Sequence, residues 1–335
     1  MIAFVARRLL LLIPVLLGVT VVTFTLTRII PGNPIDLMVS PLADAETRAR
    51  IAENAGLNDP LWEQYARYIW GVANGDFGDS FVTSQPVLDD LTSRFMPTFE
   101  LTLFAMLLAI ILAVPLGIAS AVWRGTWIDH VSRLLAVFGV AMPVFWVSLV
   151  AIYVFFFLLH WLPAPQGRIS VIVAPPDAIT GLFVVDSLLT GNWPALRSSF
   201  QSILMPACVL AFAAMAPLAR MTRSSMIEAL ESDYTRAARA MGLPERSVVF
   251  RHALRNAVLP VITMIAIVYG YLLGGVVLVE NVFAWPGLGR YVYNAIASSD
   301  YPALQGFILY STTVYVLLFL FVDILYVLLD PRVRI

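Results

Sequence analysis

The sequence predicts an all-α integral membrane protein with six transmembrane helices and a long loop after the first. Three observations predict it. Of 335 residues, 60% are hydrophobic and 13% charged, whereas a soluble domain carries roughly a quarter charged residues. The apolar excess is gathered into long charge-free stretches, each near the roughly 20 residues that cross a hydrocarbon core. These stretches do not alternate polar and apolar side chains as barrel strands would, so helix is the reading.

The first stretch, 9–27, follows Arg7 and Arg8. A removable secretory leader is the alternative. The run exceeds the roughly 7–15 apolar residues of a leader, and Ile29, Ile30 and Pro31 follow in place of a small-residue cleavage site. The expectation is a retained helix over 1–30. Residues 31–96 differ: they are polar, acidic and aromatic. Asp59 before Pro60 predicts a helix start, with Asp59 as N-cap and proline at the first helical position. Leu61, Trp62, Tyr65, Tyr68 and Ile69 recur at helical spacing, and Trp70 adjoins them. A small soluble subdomain core and an interfacial helix with aromatics at headgroup level fit equally.

The remaining region, 97–330, carries five spans: 101–122, 134–159, 202–219, 257–279 and 301–322, the last continuing past Asp323 to about Leu329. Pro115, Pro143, Pro206 and Pro217 lie inside these spans and predict kinks, one of which could serve as a gate hinge. Gly270 and Gly274 form a G-x-x-x-G and predict close helix packing, within the chain or against a partner subunit. Glu100 and Glu280 fall at span ends. Asp323 lies deeper, and a charge there is costly enough to require a partner inside the bundle. Trp285-Pro286-Gly287 reads as a turn with its aromatic near the interface.

Arginine sets the expected orientation. With the N-terminus cytoplasmic, the segments 1–8, 123–133, 220–256 and 330–335 hold 13 arginines in 62 residues, and the segments opposite hold 8 in about twice the length. That bias has the sign of the positive-inside rule. Both termini are then cytoplasmic, and the 31–96 loop is extracytoplasmic.

Several chemistries are excluded. The chain has no lysine, hence no G-x-x-x-x-G-K-S/T phosphate loop and no Schiff-base chemistry. Cys208 is the single cysteine, and His130, His160 and His252 are scattered, so no metal-ligand spacing occurs. No cofactor is expected. The net charge of -1 gives no electrostatic footprint for nucleic acid. An intramembrane enzyme would need a cluster of catalytic groups, and none is visible. A self-sufficient channel or secondary carrier is the rival transport reading. Carriers often show two similar halves, and no internal repeat is apparent.

The largest cytoplasmic segment, 220–256, is too short for a catalytic domain and too regular for a linker. Asp233 can cap a helix from Tyr234 to Met241, with Gly242 stopping it and Pro244 beyond. Tyr234, Ala237, Ala238 and Met241 then share one small apolar face, with Arg236 and Arg239 off it. A second helical stretch from about Glu245 to Asn256 carries Arg251 and Arg255. A loop helix packed on its own bundle and a docking element fit this pattern equally.

Arg236-Ala237-Ala238-Arg239-Ala240-Met241-Gly242 resembles the E-A-A-x-x-x-G loop of ABC importer membrane subunits, with arginine in place of the glutamate. Leu259-Pro260 lies farther from Gly242 than the general spacing of those subunits. Both departures resemble the dipeptide/oligopeptide permease branch. So do Ile30-Pro31-Gly32, Gly56-Leu57-Asn58-Asp59-Pro60-Leu61, Gly75-Asp76-Phe77-Gly78-Asp79-Ser80 and Arg220-Met221-Thr222-Arg223-Ser224-Ser225-Met226. His252-Ala253-Leu254-Arg255-Asn256, Trp285-Pro286-Gly287-Leu288-Gly289-Arg290, Asp300-Tyr301-Pro302 and Asp330-Pro331-Arg332 continue it, so the resemblance covers essentially the whole chain. It implies a type I ABC importer permease fold that is not itself an enzyme. It further implies a second homologous permease subunit in a heterodimer, two cytoplasmic ABC ATPase subunits and a periplasmic substrate-binding protein. Coupling to the ATPase would fall to Tyr234, Arg236, Ala237, Ala238, Met241 and Gly242. The implied cargo is dipeptides or short peptides, with nickel complexes, glutathione and longer oligopeptides as alternatives within the family.

Overall fold

The computed structural model describes residues 2–29, 44–54 and 58–329. Among them no strand occurs. The helices are α1 (Ile2–Ile29), α2 (Ala45–Asn54), α3 (Leu61–Ala73), α4 (Val87–Val122), α5 (Trp127–Ala141), α6 (Val144–Ala151), α7 (Phe183–Leu189), α8 (Trp193–Glu231), α9 (Asp233–Ala240), α10 (Leu254–Val282), α11 (Leu288–Ala297) and α12 (Tyr301–Leu329). Two π-helical segments, Ile152–Leu158 and Val248–Ala253, extend α6 and precede α10.

Four helical stretches are long and apolar enough to cross a membrane: Val87–Val122, Trp193–Glu231, Glu245–Gly274 and Tyr301–Phe321. A fifth arises if the bent pair Trp127–Gly139 and Val144–Leu158 counts as one span. The apolar stretch of α1 runs Leu10–Thr25 among the residues described. The molecule is therefore a multi-pass helical membrane protein.

Three differences from the sequence reading have physical causes. The stretch 134–159 is broken, its two helices meeting at 102°. Pro143 lacks an N–H and pushes Met142 into extended backbone (φ -84°, ψ 127°), which ends α5 there. Pro115, Pro206 and Pro217, by contrast, lie inside continuous helices. The helices also outrun the apolar windows. α8 covers 39 residues, where hydropathy marked 202–219, because charged turns beyond the apolar window remain helical. Finally, α3 begins one residue late. Pro60 occupies the N-cap, and Asp59 instead pairs with Arg67 while its carbonyl accepts from Gln64 Nε2 at 2.8 Å.

The chain divides into two compact units. One draws on Met1–Met96 and Gly287–Phe321, the other on Pro97–Pro286. In the first unit, Val87, Leu91, Leu288, Tyr291, Ala295 and Ala303 form the buried core. Gly306 sits so tightly against Val87 that a β-carbon would collide with it. In the second unit, α8 packs against α10 and α5. Gly117 makes the close approach of α4 to α8: a β-carbon there would lie 2.6 Å from Thr222 Cβ and 2.8 Å from the Ala219 carbonyl.

Buried acids in the second unit are met by donors. Glu100 accepts from Arg168 at 2.6 and 3.1 Å and from the Val184 amide at 2.8 Å, and Arg168 also stacks over the Phe183 ring. Glu280 accepts from the Thr98 hydroxyl at 2.6 Å. Trp285, expected near the interface, is packed inside its own chain. It is 1% exposed, and its indole N–H donates to the Pro97 carbonyl at 2.9 Å. The side chain of Asp323 lies outside what the structure describes.

Candidate functional site

The segment after α8 is built to hold one short helix rigidly with one side free. α8 ends at Ser232, whose backbone turns to φ -71°, ψ 157°. The carbonyls at a helix end need partners, and Thr235 serves them. Its buried hydroxyl lies 3.1 Å from the Ala229 carbonyl, 2.9 Å from that of Leu230 and 2.8 Å from that of Ser232. Ser232 Oγ donates to Ala229 O at 2.6 Å. The first turn of α9 is thus tied to the last turn of α8. Asp233 does not cap the helix through its side chain. It pairs with Arg236 at 3.0 Å on the exposed side.

The far end closes as the sequence predicts. Gly242 takes φ +79°, its amide donates to the Arg239 carbonyl at 2.9 Å, and the Leu243 amide donates to the Ala238 carbonyl at 3.3 Å. This is a Schellman cap, and it needs a residue that tolerates the left-handed region. Open space surrounds the position where a β-carbon would sit on Gly242. Arg239 fastens the same end laterally, to Glu245 at 2.7 Å and to the Leu230 carbonyl at 3.1 Å. α9 packs against the Val248–Ala253 π-helix and the end of α8.

The structure divides the expected coupling residues. Tyr234, Arg236, Ala237, Met241 and Gly242 are exposed, Met241 at 73%. Ala238 is 1% exposed and turned into its own chain beside Thr235. The apolar face read from the sequence is therefore two faces: an anchoring one at Ala238 and Thr235, and a free one at Tyr234, Ala237 and Met241. The cause is the shortness of α9, whose attachment needs the small residue that the pattern had assigned outward. Of the glycine pair, Gly270 is buried within the chain, whereas Gly274 is exposed with nothing within 4 Å of a β-carbon.

Sequence reasoning missed the anchor beneath this segment. Asp129, buried at the start of α5, accepts from Arg223 of α8 at 2.7 and 3.1 Å. It also accepts from Ser120 of α4 at 2.7 Å and from the Gly125 amide at 3.1 Å. One carboxylate thereby joins three helices. The only signal for it was Asp129 itself, a lone acid in a short basic loop. A cleft of about 720 Å³ opens nearby, with Ile118, Val122, Trp123, Leu230 and Phe250 along its walls and the Arg239–Glu245 pair at its edge. Among the described residues no three His, Cys, Asp or Glu side chains are placed to hold a metal ion.

The fold is that of a multi-pass helical membrane protein with a short helix held outside its apolar spans, exposed on one side. Comparison with known proteins gives the class, that of a transport component. Residues 113–335 match the family model of the binding-protein-dependent transport system inner membrane component, and residues 1–102 match that of the N-terminal part of such components. The chain belongs to this family of inner-membrane transport components. It is 44% identical to the dipeptide transport system permease protein DppB of Alkalihalophilus pseudofirmus, over 100% of both chains. It is 42% identical to the probable D,D-dipeptide transport system permease protein DdpB of Escherichia coli, over 96% of this chain and 94% of that one. It is 38% identical to the glutathione transport system permease protein GsiC of Salmonella paratyphi A, over 100% and 99%.

Proposed function

We propose that this chain is one of two homologous permease subunits of an ATP-driven ABC importer that carries dipeptides and other short peptides across the inner membrane. The observation that carries this reading is α9. It is pinned to α8 through Thr235 and Arg239, capped at Gly242, and free at Tyr234, Ala237 and Met241. A surface docked on that free side would move α8 and the 248–253 segment as one piece. Two cytoplasmic ATPases would dock there, and a periplasmic binding protein would deliver the peptide. ATP hydrolysis belongs to the partners.

The topology that goes with this has six spans and both termini cytoplasmic: an N-terminal helix in 1–30, a periplasmic loop in 31–96 and a permease core in 97–330. The arginine bias supports the orientation. The peptide cargo is supported by relatives named for dipeptide transport, matched over 94–100% of their length. The glutathione permease among the relatives supports glutathione, itself a short peptide, as the second cargo to test.

The test is reconstitution of the chain with its partner permease, two ATPases and binding protein in proteoliposomes. ATP-dependent uptake of labelled dipeptide supports the proposal. Uptake by the chain alone would move it to the channel or carrier class, and uptake of glutathione with no dipeptide uptake would change the cargo. Cysteines introduced into 44–90 on a Cys208→Ser background should react with impermeant reagent from outside the cell. Reaction from the cytoplasm would overturn the topology.

A further inference from the structure

We propose that α3 is a membrane-surface helix that inserts the side bearing Trp62 and Trp70 into the headgroup layer of the bilayer, next to the end of α1. The inference rests on the proposed reading that α1 crosses the membrane, and it selects between the two alternatives the sequence left open for 59–73.

The attachment of α3 places it. Tyr65 meets Phe24 edge to face with ring centres 5.3 Å apart, Tyr68 stacks on the same ring at 6.0 Å, and the Tyr65 hydroxyl lies 3.0 Å from Thr20 Oγ1. Phe24 lies about one helical turn before Arg28, the charge that closes the apolar run 9–27. Away from this contact, Leu17, Val21 and Val22 of α1 are exposed apolar side chains, as a lipid-facing helix requires. α3 is therefore held at the level where the apolar part of α1 ends, which is where a bilayer passes from hydrocarbon to headgroups.

Helical geometry fixes what faces outward at that level. Successive residues step by about 100° around the axis. From Tyr65 and Tyr68, which face α1, the next sector holds Trp62, Ile69 and Ala73. Ala66 and Trp70 follow, and only then come Glu63 and Arg67. Trp62 is 69% exposed and Trp70 is 74% exposed. Arg67 pairs with Asp59 on the polar sector. The order from α1 is thus aromatic contact, apolar flank, tryptophan, charge. A helix lying flat at an interface needs that order, with amphipathic indoles at headgroup depth and the ion pair toward water. A soluble subdomain would bury Trp62 and Trp70 against its own chain, and no described residue covers either of them. The exposed flank continues the lipid-facing surface of α1, which identifies lipid as its occupant.

The test is spin-label accessibility in the assembled transporter in phosphatidylethanolamine/phosphatidylglycerol vesicles, on a Cys208→Ser background. Labels at Trp62→Cys, Trp70→Cys, Arg67→Cys and Leu17→Cys are compared for collision with oxygen and with a water-soluble nickel chelate. Oxygen should exceed the chelate at 62 and 70, with the ratio reversed at 67. Chelate access at 62 and 70 equal to that at 67 would overturn the proposal. So would shielding from both reagents, which would mark a protein partner on this face. Leu17 separates the two readings: chelate access there would overturn the crossing of α1, and this proposal with it, whatever 62 and 70 show.

Discussion

The Ser80 hydroxyl donates to the Asp300 carboxylate at 2.6 Å, joining segments 220 residues apart. Asp300 is 1% exposed and also accepts from the Val82 amide at 3.2 Å and, through its other oxygen, from the Ala303 amide at 3.2 Å. It therefore caps the start of α12 while holding the turn that precedes α4. The turn is tight: the Ser80 amide donates to Gln85 O at 3.0 Å and that of Val87 to Gly78 O at 2.9 Å, with Gly78 at φ +78°. Beneath it lies the core of Val87, Leu91, Tyr291 and Ala303. Two of the motifs noted in the sequence, at 75–80 and 300–302, are thus halves of one clasp.

Removing the acceptor should cost more than removing one donor. Asp300→Ala loses a helix cap and strands two further donors, a loss of about 2–3 kcal/mol. Ser80→Ala loses one hydrogen bond, about 1 kcal/mol. Thermal unfolding of the detergent-solubilised transporter should rank the variants wild type, Ser80→Ala, Asp300→Ala. Limited proteolysis should find the 76–86 turn opened in Asp300→Ala. Equal stability of the two variants would show that the shared carboxylate is not the centre of the clasp.

The two faces of α9 predict opposite outcomes for neighbouring alanines. Ala237→Trp adds bulk on the exposed side and should leave thermal stability unchanged while lowering copurification with the ATPases and stopping transport. Ala238→Trp must force its way between α9 and its own chain, and overpacking costs about 1–3 kcal/mol. It should lower stability and transport together. Gly242→Ala meets no atom, so its cost is the left-handed backbone alone, about 1 kcal/mol. Normal ATPase binding by Ala237→Trp would remove this face from the interface.

Much of this architecture is legible in the sequence because hydropathy reports the cost of placing charge in hydrocarbon. The ends of α4 at Val122 and α12 at Leu329 agree with that reading. The site was legible in its cap, since a glycine followed by proline two residues on has few other uses. What could not be read was pairing at long range. Glu100 and Arg168, or Asp129 and Arg223, lie far apart in the chain, and no local periodicity links them. The inward turn of Ala238 escaped for a related reason. An alanine satisfies an apolar face and a tight internal contact equally well, so spacing alone does not choose between them.

The Asp129–Arg223 junction should be a fold-critical ion pair. The Asp129 side chain is 2% exposed and the Arg223 side chain 24%. Breaking a buried pair by removing one partner costs about 3–5 kcal/mol, because the other charge stays buried without its counterion. Arg223→Ala falls at the lower end because Asp129 keeps the Ser120 hydroxyl, the Gly125 amide and Arg133 at 3.4 Å. Asp129→Ala should be the more severe, since it also strands Ser120 and the Gly125 amide. Expression level and unfolding temperature of both variants check the order. A transporter indifferent to Asp129→Ala would show that helix packing alone holds α4, α5 and α8 together.

Asp186 predicts a pH response in the segment before α8. Burial pushes its carboxyl up, but the Thr180 hydroxyl and the Thr180, Ile179 and Gly181 amides donate to it and outweigh burial, holding it below its ordinary value. A carboxyl held below its unfolded value contributes stability that is fully present above the unfolded pKa of about 3.9 and lost as pH falls through the folded one. The 179–186 turn should therefore resist amide exchange from neutral pH down to that range and loosen below it. Asp186→Ala should expose the turn at every pH. A turn equally protected in the variant would place its stability elsewhere.

Two glycines distinguish packing inside the chain from packing on a partner. Gly117 has no room: the Ala219 carbonyl that a β-carbon would meet at 2.8 Å is backbone and cannot rotate away. Gly117→Ala must push α4 from α8 and should cost about 1–3 kcal/mol in the isolated chain. Gly274, the exposed half of the G-x-x-x-G, has open space around it. Gly274→Leu should leave the isolated chain as stable as wild type, or slightly more so, since glycine inside a helix is unfavourable by about 1 kcal/mol relative to alanine. If Gly274 is where a second permease subunit approaches, the same substitution should abolish copurification of that subunit, because small residues let membrane helices come close and a leucine holds them apart. Unfolding of the chain alone and pull-down of the partner, measured on the same two variants, should therefore give opposite results. A partner that still assembles on Gly274→Leu would place the subunit interface on another face.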